Sequence, residues 1–482
     1  MNWEDTKMTP EELKNLENTL WKSADKLRGS IDASNYKDVV LGLIFLKYIS
    51  DKFEIQYQKL KKKYPHFLND LDFFRDYCSQ DNVFWVPEKA RWEFIAKQAH
   101  NPEIKTILDQ AFSLIEKENE ELKGILPKTY TKTDIDYHKL SGLIDLFTNQ
   151  FPTKMTSDLL GLVYEYFLGE FARNSGKKGG EFYTPTSIVK LLVSLIEPYS
   201  GRVYDPACGS GGMFVQAEKF ITSHGGNQKE ISIYGQELNA TTWRLAKMNL
   251  AIRGISANLG ATYADTFLND QHKDQDSNID FILANPPFNM SDYGIESLLE
   301  DYRWKGYAVP PKGNANYAWI LHMISKLNQR GVAAIILANG SLSTTAKSEF
   351  QIRKQMLQNN LVECIISLPD KLFYTTGIPV SIWIIRRNKK TKKVLFINAT
   401  DFGEMIDRKL RILNATHITE ITSIYHNWKK EENYDDNLGI NKSVDIEAII
   451  EKNYSLVPGM YVGYKSDEKS QTELKQELKT TT

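Results

Sequence analysis

The tetrapeptide Asn285-Pro286-Pro287-Phe288 ends an apolar run that starts at Ile279. The run reads as a buried strand, and tandem proline removes two backbone donors and stops the ladder. Asn285 is thereby expected at the C-terminal lip of a strand, where open α/β sheets handle ligands. A planar amide, a fixed carbonyl at Pro286 and Pro287, and the Phe288 ring suit the grip of a flat heterocycle bearing an amino group. The bland alternative is a strand end with a stiff turn.

A second stretch narrows the choice. Val203-Tyr204-Asp205-Pro206-Ala207-Cys208-Gly209-Ser210-Gly211-Gly212 reads as strand, glycine turn and helix start. Gly209, Gly211 and Gly212 allow close backbone approach to a ligand. No lysine follows them, so this is not a phosphate loop, and the spacing is not G-x-G-x-x-G. A nucleoside-sized ligand without phosphates remains, with Asp205 able to meet a positive group. Glu237, after the next expected strand, is placed for ribose hydroxyls. Asp265, in Ala264-Asp265-Thr266-Phe267, could accept from an adenine amino group. Each acid alone reads more simply as a helix cap or solvated charge; their order on successive strand ends argues otherwise.

The elements that must position these residues follow from periodicity. Residues 1–150 read as helical, with a start at Thr9-Pro10-Glu11-Glu12 and a buried helix at residues 39–49. Trp85, Trp92 and Phe94 read as core or subunit contact in preference to base stacking. The basic run at 59–63 reads as a solvated helix end. After a boundary at Phe151-Pro152, residues 158–171 form an amphipathic helix. A glycine-rich stretch then leads to Glu181-Phe182-Tyr183-Thr184-Pro185-Thr186, where Thr184 or Thr186 can cap the next helix. Strands are expected at 202–204, 231–234, 261–263, 279–284, 332–337, 362–367 and 381–385. With helices between them, they make a doubly wound, mostly parallel seven-stranded α/β sheet. Residues 384–397 read as a hairpin with a basic tip at 386–393, either a solvated turn or a phosphate contact. Residues 418–464 read as helical, and 466–482 as a polar tail ordered only by a partner. The expected domains are thus 1–150, 151–465 and the tail 466–482.

Composition bounds the partners. The chain has 482 residues, 60 Lys+Arg against 61 Asp+Glu and a net charge of −1, so it is not expected to hold DNA alone. Three scattered cysteines fit neither a disulfide framework nor a zinc site, which points to a reducing cytoplasmic setting. No apolar signal core or membrane span is read.

Together, the glycine turn, Glu237, Asp265-Thr266-Phe267 and Asn285-Pro286-Pro287-Phe288 resemble the adenine-N6 DNA methyltransferases in their gamma-type order. With the helical N-terminus, Gly180-Glu181-Phe182-Tyr183-Thr184-Pro185 and Tyr454-Ser455-Leu456-Val457-Pro458-Gly459-Met460-Tyr461, the chain resembles the modification subunit of type I restriction–modification systems. The resemblance implies S-adenosylmethionine as cofactor, no metal, and a segment at 181–186 that closes over the methionine moiety. It implies that Asn285 Oδ1 and the Pro286 carbonyl draw the adenine nitrogen toward sp³ geometry, with Phe288 stacking on the flipped base. It also implies two such subunits on one specificity subunit, with a restriction subunit joining for cleavage. The short 289–330 connection leaves little room for a reading module, in keeping with a separate specificity chain. The readings left open are a self-sufficient adenine methyltransferase, an enzyme acting on RNA or a glutamine amide, and a non-catalytic scaffold.

Overall fold

Proline at the first position and Glu11 and Glu12 in the first turn start a helix at Pro10–Asp25, as the spacing predicts. The computed structural model describes residues 10–25, 33–67, 70–150, 157–174, 183–227, 230–373 and 376–463. The readings at Glu181, Phe182, the boundary at Phe151 and the tail fall outside these. Two compact units emerge, each assembled from several segments. The first comprises residues 1–183, 208–228 and 237–263; the second comprises 184–207, 229–236 and 264–482.

The first unit is helical. Its axis is the long helix Ala33–Lys63, whose residues 39–50 are all buried. Lys47 within this run pairs with Asp51 one turn on, which satisfies a buried ammonium. Trp85 and Trp92 are core residues: Trp85 packs edge-on against Phe53 at 5.1 Å, and Trp92 Nε1 donates to Thr148 Oγ1 at 3.0 Å. The same core takes in Leu245, Met248 and Ile252 of helix Ala240–Ile252. Tyr48 hydroxyl donates to the Ile252 carbonyl and ties the two helices.

The strands, in chain order, are β1 (Gly201–Asp205), β2 (Ile231–Gly235), β3 (Ala257–Asn258), β4 (Ile279–Ala284), β5 (Leu327–Ala338), β6 (Val362–Ser367), β7 (Val380–Arg386), β8 (Val394–Asn398), β9 (Glu404–Met405), β10 (Arg411–Ile412) and β11 (Asn441–Val444). In the second unit the main sheet runs β11-β8-β6-β7-β5-β4-β1-β2. The pairs β1–β2, β1–β4, β4–β5 and β6–β8 are parallel. β7 lies antiparallel to both β5 and β6, and β11 antiparallel to β8. β6 and all but the last residue of β7 are buried, as strands covered on both faces must be.

Five expectations are corrected. The sheet expected with seven strands has eight in the second unit among the described residues, since β8 and β11 extend it and the strand expected at 261–263 is absent. Residues 261–263 are not a strand: Asn258 Oδ1 accepts from Gly260 N at 3.0 Å and Gly260 takes φ +77°, so the chain turns there. The only extended pair nearby among the described residues is β3, in the first unit. Residues 384–397 are not a hairpin, because β6 sits between β7 and β8 and pairs with each. The connection crosses the start of β6, and its basic tip is partly spent on that crossing. Lys389 is buried, donates to the carbonyls of Val362 and Lys393 at 2.7 and 2.9 Å, and has its ammonium pulled down to about 8 by burial. Residues 418–464 are not wholly helical, since β11 follows helix Ala415–Lys430. Finally, neither Thr184 nor Thr186 is the residue that flanks helix Thr186–Ile196. Pro185 stands at the cap position, with no side-chain capping bond.

No helix among the described residues is long and apolar enough to cross a membrane. The three cysteines are buried and form no disulfide among the described residues.

Candidate functional site

The second unit carries the amide lip. β4 ends at Ala284, Pro286 is buried, and Asn289 after the tetrapeptide adopts φ +53°. That left-handed turn is pinned from helix Asn316–Lys326: Asn316 Oδ1 accepts from Asn289 N at 3.0 Å, and Asn316 Nδ2 donates to Asn289 Oδ1 at 2.9 Å. Asn314 Nδ2 adds a third bond at 3.2 Å. Proline before and a double amide clasp after leave the lip little freedom.

Thr184, freed from capping, takes another role. Asn285 Nδ2 donates to Thr184 Oγ1 at 2.9 Å, which fixes the amide plane. Asn285 Oδ1 is buried and has no hydrogen-bond partner among the described residues. A buried acceptor left unmatched costs about 1–3 kcal/mol. An N–H or O–H donor is the complement it lacks. Beside it, the Phe288 ring meets Phe373 edge-on at 5.7 Å, so two aromatic faces border the lip.

Asp205 and Asp265 also lie in this unit. Asp205 Oδ1 accepts from Ala207 N at 3.0 Å. Asp265 Oδ1 accepts from Phe267 N and Leu268 N at 2.8 and 3.0 Å, so one oxygen shapes the turn. No helix starts there, so that oxygen caps a turn and not a helix, and an adenine contact would fall to Oδ2. Gln236, fully buried, holds this loop through Nε2 to the carbonyls of Ala264 (3.2 Å) and Asn269 (2.8 Å). Arg303 grips it from the other side, donating to Thr266 O at 3.2 Å and Phe267 O at 2.7 Å.

The first unit carries the glycine turn and Glu237, and it brings them together. Glu237 Oε2 accepts from Gly209 N at 3.1 Å and Oε1 from Asn239 N at 2.7 Å. Burial raises the Glu237 carboxyl above its ordinary range; the backbone N–H groups of Asn239, Gly209 and Leu238, and the Lys37 ammonium, oppose that shift. Three backbone N–H groups leave the carboxylate roughly one of its four acceptor sites. Gly209 and Gly211 adopt φ +54° and +79°, and a Cβ on Gly211 would stand 3.5 Å from Leu250. The turn is braced by Asn249, whose Nδ2 donates to Ser210 O at 2.8 Å. Arg253 in turn bonds the Asn249 and Gly161 carbonyls at 3.0 and 2.6 Å. Gly212 opens helix Gly212–Ser223. Tyr183 lies near Gly169, whose added Cβ would come within 3.4 Å of its hydroxyl, and Pro185 is buried. The donor set, backbone amides and a buried carboxylate with no cationic side chain following the glycines, fits a nucleoside and not a phosphate.

Sequence reasoning missed Asn316, Phe373, Gln236, Arg303, Asn249 and Lys37. Only Gly313-Asn314-Ala315-Asn316 carried a signal, as an amide-rich turn before an apolar helix.

Comparison with known proteins gives this arrangement a family. The N-6 DNA methylase model matches residues 155–470, and the HsdM N-terminal domain model matches 16–147. The methylase subunit of the type I restriction enzyme HindI from Haemophilus influenzae is 48% identical over 371 residues, 75% of this chain and 83% of its own. The MjaIX methylase subunit from Methanocaldococcus jannaschii is 37% identical over 489 residues, 96% of this chain and 85% of its own. The crystal structure of a type I restriction–modification methyltransferase subunit from Streptococcus thermophilus superposes with a TM-score of 0.81 at 25% identity, covering 93% of this chain and 99% of that one. The chain therefore belongs to the N-6 DNA methylases, as a methylase subunit of the type I restriction–modification kind and an adenine-specific DNA methyltransferase.

Proposed function

We propose that the chain transfers the methyl group of S-adenosylmethionine to N6 of an adenine swung out of duplex DNA, while a separate specificity subunit chooses the adenine. The observation that carries the reading is Asn285, an oriented amide whose buried Oδ1 lacks a partner. Adenine N6 is a poor nucleophile because its lone pair is conjugated with the ring. Asn285 Oδ1 and the Pro286 carbonyl each accept one N–H, which turns the lone pair out of the ring plane. Phe288 stacks on the base, with Phe373 beside it. The N6 proton leaves after transfer, when the nitrogen is acidic, so no strong base is needed.

S-adenosylmethionine, when bound, supplies a methyl group already activated on a sulfonium. Gly209, Ser210, Gly211 and Gly212 give it backbone contacts, Glu237 takes the ribose hydroxyls, Asp265 the adenine amino group, and Asp205 the positive methionine end. Residues Glu181 to Thr186 complete the cofactor segment in this reading. Catalysis is then orientation and electrostatics, the two largest contributions a fixed site can make. The assembly inferred from the family is two of these chains on one specificity subunit, with a restriction subunit joining for cleavage. The helical domain at 1–150 and the tail at 466–482 are the inferred contact surfaces.

The test is the product. Methyl-labelled cofactor and DNA, incubated with the assembled complex and digested to nucleosides, will put the label in N6-methyladenine. Label in a cytosine derivative, RNA or protein amide sinks the reading. Thr184→Val will lower the single-turnover methylation rate about tenfold, the value of one orienting bond of roughly 1.4 kcal/mol. Thr184→Ser will restore most of it, with DNA affinity unchanged in both.

A further inference from the structure

We propose that the ribbon formed by β9 and β10 is a duplex-DNA contact, in which Arg408 and Lys409 meet phosphates beside the target base and Met405 and Ile406 pack against the groove. The proposal rests on the reading that the Asn285 lip takes adenine from DNA.

The ribbon is a built element. Met405 pairs with Arg411 and Glu404 with Ile412, and Ile406 N closes the tip onto Leu410 O at 3.0 Å. Gly403, at φ +90°, lets the strands meet: a Cβ there would stand 2.8 Å from the Ile412 carbonyl. Leu410 is buried and anchors the turn, whereas Met405 and Ile406 are 43% and 51% exposed. An adjacent apolar pair at the end of a two-stranded ribbon has the shape of groups that enter DNA grooves.

Charge points the same way. The acids of the ribbon are engaged locally: Asp407 Oδ1 accepts from Lys409 N and Leu410 N at 2.7 and 2.9 Å, and Glu404 from Asn414 Nδ2 at 2.7 Å. Asp370 faces Arg411 at 3.6 Å. Arg408 and Lys409 are exposed and form no ion pair among the described residues. With Glu404 and Asp407 held to the ribbon's own backbone and to Asn414, Arg408 and Lys409 are the charges at the tip with the reach to meet phosphates.

Position decides what they meet. Arg411 N donates to Lys371 O at 2.8 Å, so the ribbon is tied to the loop that carries Phe373. Phe373 in turn meets Phe288, on which the target base stacks in the proposed reaction. A duplex that delivers a base to Phe288 has to run past the structure fastened to that loop.

The experiment measures binding of a labelled duplex to the complex assembled with its specificity subunit, across a salt series. For Arg408→Ala/Lys409→Ala, the slope of log affinity against log salt will fall in magnitude by about 1.8, or about 0.9 for each phosphate released. Met405→Ala/Ile406→Ala will weaken binding with no change of slope. Cofactor binding and subunit assembly will match the unaltered complex in both variants. An unchanged slope in the first variant overturns the proposal. So does loss of assembly with the specificity subunit, which would make the ribbon a protein-binding surface. If the unaltered complex methylates no adenine, the reading of the lip fails; if it methylates normally and the slope holds, only the ribbon proposal fails.

Discussion

Replacing Asn285 with alanine will reduce methyl transfer by about three orders of magnitude, while the dissociation constant for S-adenosylmethionine stays within a few fold. Removing one preorganised group aimed at a developing charge costs about a hundredfold to a thousandfold in kcat. In the proposed reaction the same side chain also orients the nucleophile, so the loss lies at the upper end. Cofactor affinity should be spared because, among the described residues, the amide bonds Thr184 alone and none of the residues proposed to hold the nucleoside. The truncation also removes a buried, unmatched acceptor, so folding should not suffer. Calorimetric titration of cofactor together with single-turnover methylation checks both halves. A collapse of cofactor affinity would place Asn285 in the cofactor pocket and overturn its assignment to the base.

The second large effect concerns the partner. The purified chain will bind S-adenosylmethionine yet methylate DNA weakly, and adding its specificity subunit will raise site-specific methylation by about a thousandfold or more. Specific binding typically exceeds non-specific binding by a factor of about 10³ to 10⁷. With 60 basic against 61 acidic residues, the chain alone has no general excess of positive charge to hold a duplex. Methyl incorporation into a plasmid, with and without the partner, measures the ratio. Strong site-specific methylation by the chain alone would contradict the multisubunit reading.

What could be read from the sequence was what is contiguous. The glycine turn and the strand end at Asn285-Pro286-Pro287-Phe288 announce themselves because the residues that shape each turn lie within a few positions of one another. The strands at 279–284 and 362–367 match the observed β4 and β6, because an apolar run bounded by turn residues has few other uses. Thr184 was harder. A threonine beside a helix start reads as a cap, and only the tertiary structure shows its hydroxyl under the Asn285 amide, 101 residues away in sequence. Phe373 was illegible for the same reason: nothing local marks a side chain whose partner comes from another element. The error at 261–263 has a different origin. Its alternating pattern suits a strand, but Gly260 turns the chain just before it, and turn geometry outweighs β propensity. The hairpin expected at 384–397 does not form, because neighbours in sequence need not be neighbours in a sheet and β6 lies between β7 and β8.

The proline after Asn285 has a consequence for how the protein ages. An asparagine ordinarily loses its side-chain nitrogen when the backbone nitrogen of the next residue attacks the amide and closes a succinimide. Pro286 has no N–H and cannot begin that attack. Thr184 also holds the amide plane in one orientation. The residue proposed to orient the target amine is thus shielded from the usual route of deamidation, and an old molecule should keep the same amide as a newly made one.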